Sequence, residues 1–200
     1  MRRHFLIALG GFLSSPAFAA GAGSAVTSAG AKSCQILSYA KQDHNGARLA
    51  RKDWVQDISR CPGAGGWYIY LSDGGDHQGI AFAQTAHKSG HDGFQILPGF
   101  GVVDNQIEWR GSSINGALQP ASAILRFHWQ DPDDGRHRNS LAVARLGKDA
   151  ASTCIFAYVD IRPDQDAAAV AADLADGKAA GINCSDVVPG FAGKGGDGAN

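Results

Sequence analysis

The sequence lacks both a surplus of basic charge and a hydrophobic run long enough to cross a membrane. Lysine and arginine number 18 against 19 aspartates and glutamates, which gives a formal net charge of −1. Nucleic-acid-binding domains concentrate basic residues on one face, and a transmembrane helix needs about 20 consecutive apolar residues. We therefore expect no nucleic-acid partner, and no membrane insertion once the N-terminal segment has been removed.

The short motifs of the common enzyme classes are missing as well. There is no Cys-x-x-Cys pair and no glycine-rich phosphate loop of the Walker or dinucleotide type. Residues 111–116, Gly-Ser-Ser-Ile-Asn-Gly, resemble the Gly-x-Ser-x-Gly elbow of serine hydrolases, but the second glycine comes one residue too late. These absences predict no cofactor, and they leave a binding role ahead of an enzymatic one.

The N-terminus carries the pattern of an export signal. Two arginines precede a short apolar run at residues 5–9, and the small residues Ala17-Phe18-Ala19 follow. This order of charge, apolar run and Ala-x-Ala is typical of a secretory signal peptide over residues 1–20, cleaved after Ala19 or Ala20. Cleavage changes the formal charge from −1 to −3. The sequence therefore predicts a periplasmic or secreted protein.

Segments of small residues flank the predicted domain. Residues 21–33 and the glycine-rich residues 189–200 contain too few large apolar side chains to pack a core. We predict a flexible leader at 21–33 and a flexible tail at 189–200. Residues 34–188 are then predicted to form a single disulfide-stapled α+β domain without internal repeats.

The chain has four cysteines, and an even number in an exported protein predicts two disulfides. Three pairings are possible. We favour Cys34 with Cys61 and Cys154 with Cys184, because each pair is local and brackets one supersecondary unit. Closing either loop would stabilise the fold by about 3.6 kcal/mol on the chain-entropy model.

Residues 61–71 combine a cysteine, a turn and a strand. Pro62 and three glycines favour the turn. Alternate side chains of the following strand point to opposite faces, and both faces carry large side chains. One face has Trp67, Ile69 and Leu71, and the other has Tyr68 and Tyr70. Because both faces look covered, we predict a central strand of a sheet.

The second half of the chain alternates in the way that half-buried strands do. Residues 107–110 and 123–129 alternate apolar and polar side chains, and residues 111–120 between them are predicted to be a loop of about ten residues. A helix is predicted at 164–180, where small apolar residues recur at three- and four-residue spacing. Further strands are predicted at 141–146 and 154–161. The expected fold class is α+β, with a mostly antiparallel sheet of about seven strands, one C-terminal helix packed across it and two local disulfides.

Four polar residues of the predicted hairpin are candidate site residues. They are Glu108, the only glutamate in the chain, with Arg110, Arg126 and His128. If the two strands pair in register, Arg126 and His128 lie opposite Glu108 and Arg110. Glu108 and His128 could then exchange protons as catalytic residues, and the two arginines could bind an anion. The simpler interpretation is a solvated sheet face with cross-strand charge pairs.

Three histidines between residues 73 and 93 are candidate metal ligands. His77, His87 and His91 lie among aspartates, and imidazole with carboxylate suits zinc or copper. Ser89 and Gly90 argue against a helix that would present His87 and His91 together. Solvated loop histidines are therefore the preferred interpretation.

The four tryptophans allow two interpretations. They could line an aromatic cleft for a sugar or a peptide, or they could belong to the core. They are Trp54, Trp67, Trp109 and Trp129. Three of them alternate with polar residues on predicted strands, which favours the core.

Several of these segments together resemble a group of small exported bacterial proteins with no assigned activity. The segments are Cys61-Pro62-Gly63 through Gly66-Trp67, the strand Ile107-Glu108-Trp109-Arg110, residues 120–126, and the Cys154 strand with the alanine-rich helix that ends at Cys184. The resemblance covers about residues 34–186. It implies a similar architecture, paired cysteines and export, and it carries over no catalytic residue and no ligand.

The sequence thus favours a soluble exported binding or interaction module of the cell envelope, expected to be a monomer. Its partner would be an envelope component, a peptide or another protein. Recognition would use the Glu108, Arg110, Arg126 and His128 face or the unassigned residues 85–105. The alternatives are an enzyme, either a hydrolase using Glu108 with His128 or a histidine-based metal site, and a purely structural envelope protein.

Overall fold

The computed structural model describes residues 21–37, 57–73, 78–84, 93–99 and 101–192. These residues form eleven strands and one α-helix. The strands are β1 (Gly21–Ser28), β2 (Gln35–Leu37), β3 (Asp57–Pro62), β4 (Tyr68–Asp73), β5 (Gln78–Ala83), β6 (Gln95–Ile96), β7 (Val102–Ile114), β8 (Ala117–Gln130), β9 (His137–Arg145), β10 (Cys154–Asp160) and β11 (Gly190–Ala192). The helix α1 (Ala167–Gly177) lies between β10 and β11 in the chain.

The strands form two sheets, where the sequence predicted one. Sheet A has six strands in the order β1-β7-β8-β9-β10-β11, and sheet B has five in the order β2-β3-β4-β5-β6. Neighbouring strands are antiparallel except β10 and β11, which are parallel. The mostly antiparallel α+β class is confirmed. The expected number of about seven strands was too low, partly because three of the outer strands are only two or three residues long.

The two sheets pack face to face around one apolar core. Phe82 of β5 meets Trp109 of β7 edge to face, with ring centroids 5.9 Å apart. Trp67, Trp109 and Trp129 are all buried in this core, so the core interpretation is confirmed for these three tryptophans. Trp54 lies outside the described residues. The core fixes the separation of the sheets, since large aromatic side chains from both contribute to it.

Strand β4 occupies the middle of sheet B, as the sequence predicted for residues 67–71. Trp67, Ile69 and Leu71 pack in the core between the sheets. Tyr68 and Tyr70 pack in a separate cluster on the opposite face. At Gly63, in the preceding turn, a β-carbon would collide with the ring of Trp109. Glycine is therefore required there by the close approach of the two sheets.

Helix α1 packs on the outer face of sheet A. Its N-cap is Asp166, whose carboxylate accepts a hydrogen bond of 3.1 Å from the backbone N–H of Ala169. Small buried residues of the helix, including Ala171, pack against Phe156 of β10. The predicted helix at 164–180 is confirmed in place but is shorter at both ends. Of the described helices, none is long and apolar enough to cross a membrane.

Both favoured disulfides are present. Cys34 is bonded to Cys61 and Cys154 to Cys184, with Cα–Cα distances of 4.1 and 5.6 Å. The first bond joins the start of β2 to β3. The second joins the start of β10 to the segment after α1, so it fastens the helical layer to sheet A.

The segment predicted to be a flexible leader forms a strand. Residues 21–28 pair with β7 over their whole length, from Gly21 opposite Ser113 to Ser28 opposite Gln106. The strand needs no large side chains, because the backbone ladder and a 2.7 Å hydrogen bond from Trp109 Nε1 to Thr27 Oγ1 hold it. At the other end, residues 190–192 pair with β10. The domain predicted to run from 34 to 188 therefore has a strand of sheet A beyond each boundary.

The ten-residue loop predicted at 111–120 is wrong. Strand β7 continues to Ile114 and β8 begins at Ala117, so only Asn115 and Gly116 form the turn. Both have positive φ, 52° and 79° respectively. Asn-Gly is the pair that favours this two-residue hairpin turn. The Asn-Gly pair is therefore the sequence signal for this tight turn.

Candidate functional site

A groove lies on the outer face of sheet A beside the N-terminal end of α1. Its volume is about 500 Å³. Strands β1, β7, β8 and β9 supply the sheet side, and the segment leading into α1 supplies the other. The lining residues are Val26, Asp104, Gln106, Glu108, Ile124, Arg126, Leu141, Ile161, Gln165, Asp166, Ala167 and Ala168. We refer to this set as the outer-face groove.

The outer-face groove combines an apolar surface with charges of both signs. Ile124 and Leu141 are buried and belong to the cluster that packs under α1. Asp104, Glu108 and Arg126 bring charged groups to the same groove. A few polar groups beside an apolar surface are typical of sites for small ligands.

Arg110 does not line the groove, because its guanidinium forms an ion pair with a carboxylate of α1. Its Nε and Nη2 donate to the two carboxylate oxygens of Asp176 on α1 at 2.9 and 2.5 Å. Its Nη1 donates to Glu108 at 2.5 Å. The hydrogen bonds with Asp176 raise the pKa of Arg110 above its ordinary value and lower the pKa of Asp176. Arg110, one of the two arginines predicted to bind an anion, thus links β7 to α1.

Arg126 is the arginine that lines the groove. Its side chain is exposed, and it makes no salt bridge within the part of the chain that the structure describes. Glu108 lies opposite Ile124, so Arg126 sits two residues farther along β8. Among the described residues, Glu108 accepts a hydrogen bond from Arg110 and forms no salt bridge with Arg126. A guanidinium is therefore left available at the groove.

Glu108 and His128 are not brought together as an acid–base pair. His128 lies opposite Val102, four residues along β8 from Ile124, which is the partner of Glu108. Four residues of strand span about 13 Å. The imidazole instead has Nδ1 against the side-chain oxygen of Asn139 and Nε2 4.0 Å from Asp104. Direct proton exchange needs hydrogen-bond distance or one bridging water, so this arrangement gives the hydrolase hypothesis no support.

The register differs from the expected one because the hairpin turns at Asn115 and Gly116, and farther from this turn β7 contains a bulge. Val103 pairs with Phe127 and Ile107 with Leu125, so the three residues 104–106 oppose Arg126 alone. The extra residues carry Asp104 and Gln106 into the groove. Bulges re-aim side chains and occur often beside functional sites. Strand alternation alone does not reveal this bulge.

The histidine hypothesis lies outside the described residues, because His77, His87 and His91 are all in segments that the structure does not describe. Within residues 21–37, 57–73, 78–84, 93–99 and 101–192, no three metal-ligating side chains come together. Of the unassigned segment 85–105, the structure describes 93–99 and 101–105, and Asp104 from it lines the groove.

Sequence reasoning missed most of the groove. It singled out Glu108 and Arg126 but not Asp104, Gln106 or the residues around Asp166. A run of acidic residues at the start of the predicted helix was the available signal for Asp166. No family model, curated protein or solved structure matches the chain. We therefore interpret the groove from its own residues.

Proposed function

We propose that the chain is an exported binding module of the cell envelope and that its ligand occupies the outer-face groove. The N-terminal export pattern supports the location, and two disulfides suit an oxidising compartment. A bound ligand would rest against Ile124 and Leu141 and place a charged group at Arg126. The ligand class that fits best is a short peptide with a free carboxylate.

The observation that carries this proposal is the guanidinium of Arg126, which has no salt bridge to any described residue and lies beside an apolar surface. A guanidinium presents parallel N–H groups that match both oxygens of a carboxylate. Asp104 and Glu108 on the same groove would attract the ammonium group of a zwitterionic peptide. A groove of about 500 Å³ is of the size that small ligands occupy.

Binding is favoured over catalysis by the same geometry. Glu108 is separated from His128 along the strands, and Asp104, which lines the groove, lies 4.0 Å from His128 Nε2, beyond direct hydrogen-bond distance. His128 is engaged at its Nδ1 by Asn139, across the pair of strands β8 and β9. Among the described residues, the groove thus offers charge and shape but no acid and base in direct hydrogen-bond contact.

The test is an NMR titration of the ¹⁵N-labelled protein with alanyl-alanine and, in parallel, with its C-terminal amide. We expect saturable shifts at groove residues with the free dipeptide. Loss of the ligand's carboxylate should weaken binding about tenfold or more, because a charge-assisted hydrogen-bond pair contributes about 1.5–3 kcal/mol.

Two variants make the test specific. Arg126→Ala should weaken binding of alanyl-alanine to the level of the amide. Arg145→Ala is the matched control, since Arg145 lies on β9 of the same sheet and does not line the groove. Equal binding by both variants, or no saturable shift with either peptide, would refute the proposal.

A further inference from the structure

Strand β1 is an outer strand of sheet A, and it is long. It has eight residues, whereas the other outer strands, β11, β2 and β6, have three, three and two. A short outer strand presents few free backbone groups to another chain. Among the described outer strands, β1 therefore has the largest unpaired backbone edge.

Strand β1 also lacks the features that prevent an exposed outer strand from pairing with another chain. Its sequence, Gly-Ala-Gly-Ser-Ala-Val-Thr-Ser, has no charged residue and no proline. Its pairing with β7 runs without a bulge from Gly21 to Ser28. Natural sheets protect exposed edges with charges, prolines or bulges. Their absence here favours pairing with a further strand.

We propose that the strand added to β1 is β1 of a second copy of this chain. Antiparallel pairing of a strand with its own copy requires a two-fold axis, and an axis normal to the sheet keeps both outer faces on one side. The two copies of sheet A then form one continuous sheet. This inference replaces the monomer expected from the sequence, and it does not depend on what the groove binds.

A second copy fits this edge better than a foreign strand does. The side chains of β1 are small and uncharged, so they give a foreign sequence little to select, whereas identical uncharged strands meet without like-charge repulsion. Val26 is 62% exposed and lines the outer-face groove. In the dimer the groove of each copy would border the shared strand pair, so the two grooves would adjoin.

Sedimentation equilibrium of the exported chain tests the proposal. We expect a monomer–dimer equilibrium that Val26→Lys shifts toward monomer by about tenfold or more, since each copy would bring a positive charge to the same face of the shared strand pair. Ile36→Lys is the matched control, because Ile36 is 60% exposed on the short outer strand β2. A monomer at every concentration, or equal dissociation by both variants, would overturn the proposal.

A cysteine scan over residues 22–27 gives an independent readout. Because the two-fold axis preserves the faces of the sheet, one residue of β1 must lie opposite its own copy. Mild oxidation should therefore give intermolecular disulfides that peak at one position. Circular dichroism confirms that each variant is folded. Uniform cross-linking along the strand, or none, would contradict pairing through β1.

Discussion

The two faces of sheet A are built in different ways. The inner face presents large side chains such as Trp109 and Phe127, both fully buried against sheet B. The outer face presents Phe156 and aliphatic side chains beneath α1 and polar side chains beside the helix, and α1 covers only part of this face. The remaining part is the outer-face groove. One sheet thus carries a closed core on one side and an open surface on the other.

This difference separates stability from recognition. Interdigitated aromatic side chains tolerate little change, because a lost ring leaves a cavity that the neighbours cannot fill. Exposed groove residues such as Arg126 make few contacts, so their replacement costs the fold little. Substitutions in the closed core should therefore lower stability far more than substitutions on the open surface.

Trp109→Ala should lower the free energy of unfolding by about 4 kcal/mol, the range for a buried aromatic residue replaced by alanine. The ring is fully buried, contacts Phe82 and donates to Thr27. Urea denaturation measures the effect. Val102→Ala on the same strand is the control, since Val102 is 58% exposed and should change stability by less than about 0.5 kcal/mol. Equal losses of stability in the two variants would contradict the proposed difference between the inner and outer faces.

Replacing Cys154 and Cys184 together by alanine should cost about 3.6 kcal/mol on the chain-entropy model. The bond ties the segment after α1 to β10. Hydrogen exchange should therefore accelerate first in α1 and only later in β4, which lies between the other strands of sheet B. Ser185→Ala, beside the bond and exposed, is the control. Simultaneous loss of protection in α1 and β4 would show that the outer layer is not a separate unit.

Alkaline pH should destabilise the inner face through Tyr158. Burial raises the pKa of Tyr158 to about 12 from an ordinary value of 10.0. Between these values the unfolded chain loses the phenol proton first, so stability present below pH 10 falls by about 2–3 kcal/mol as the pH approaches 12. Thermal unfolding against pH measures this slope. Tyr158→Phe should flatten it, and an unchanged slope in that variant would assign the effect to another group.

Asp176→Asn should cost about 1 kcal/mol, because it removes the paired hydrogen bonds from Arg110 while the Asp176 side chain is 42% exposed and screened. Arg110 lowers the pKa of Asp176, so this contribution is present above the ordinary carboxyl pKa and is lost as the pH falls through the lowered value. Asp173→Asn on the exposed side of α1 is the control. If Asp176→Asn still lowered the free energy of unfolding at pH 2, the ion pair would not be the cause of that loss.

Some elements of the fold could be predicted from the sequence, and others could not. The alternation around Ile69 correctly placed a central strand, and the local spacing of the cysteines correctly favoured both disulfides. Strand β1 was missed, because its small residues carry no hydrophobic pattern and are held by pairing with a distant strand. The candidate site was predicted in part: Arg126 lines the groove, and Arg110 is tied to the helix.

Local patterns in the chain are enough to specify the periodic strands, the alanine-rich helix and the cysteine pairs, since these depend on residues close in sequence. The division into two sheets and the position of the groove follow from tertiary packing. The groove depends on the bulge at residues 104–106 and on where α1 begins over sheet A. Both result from packing between segments far apart in the sequence, which local patterns do not encode.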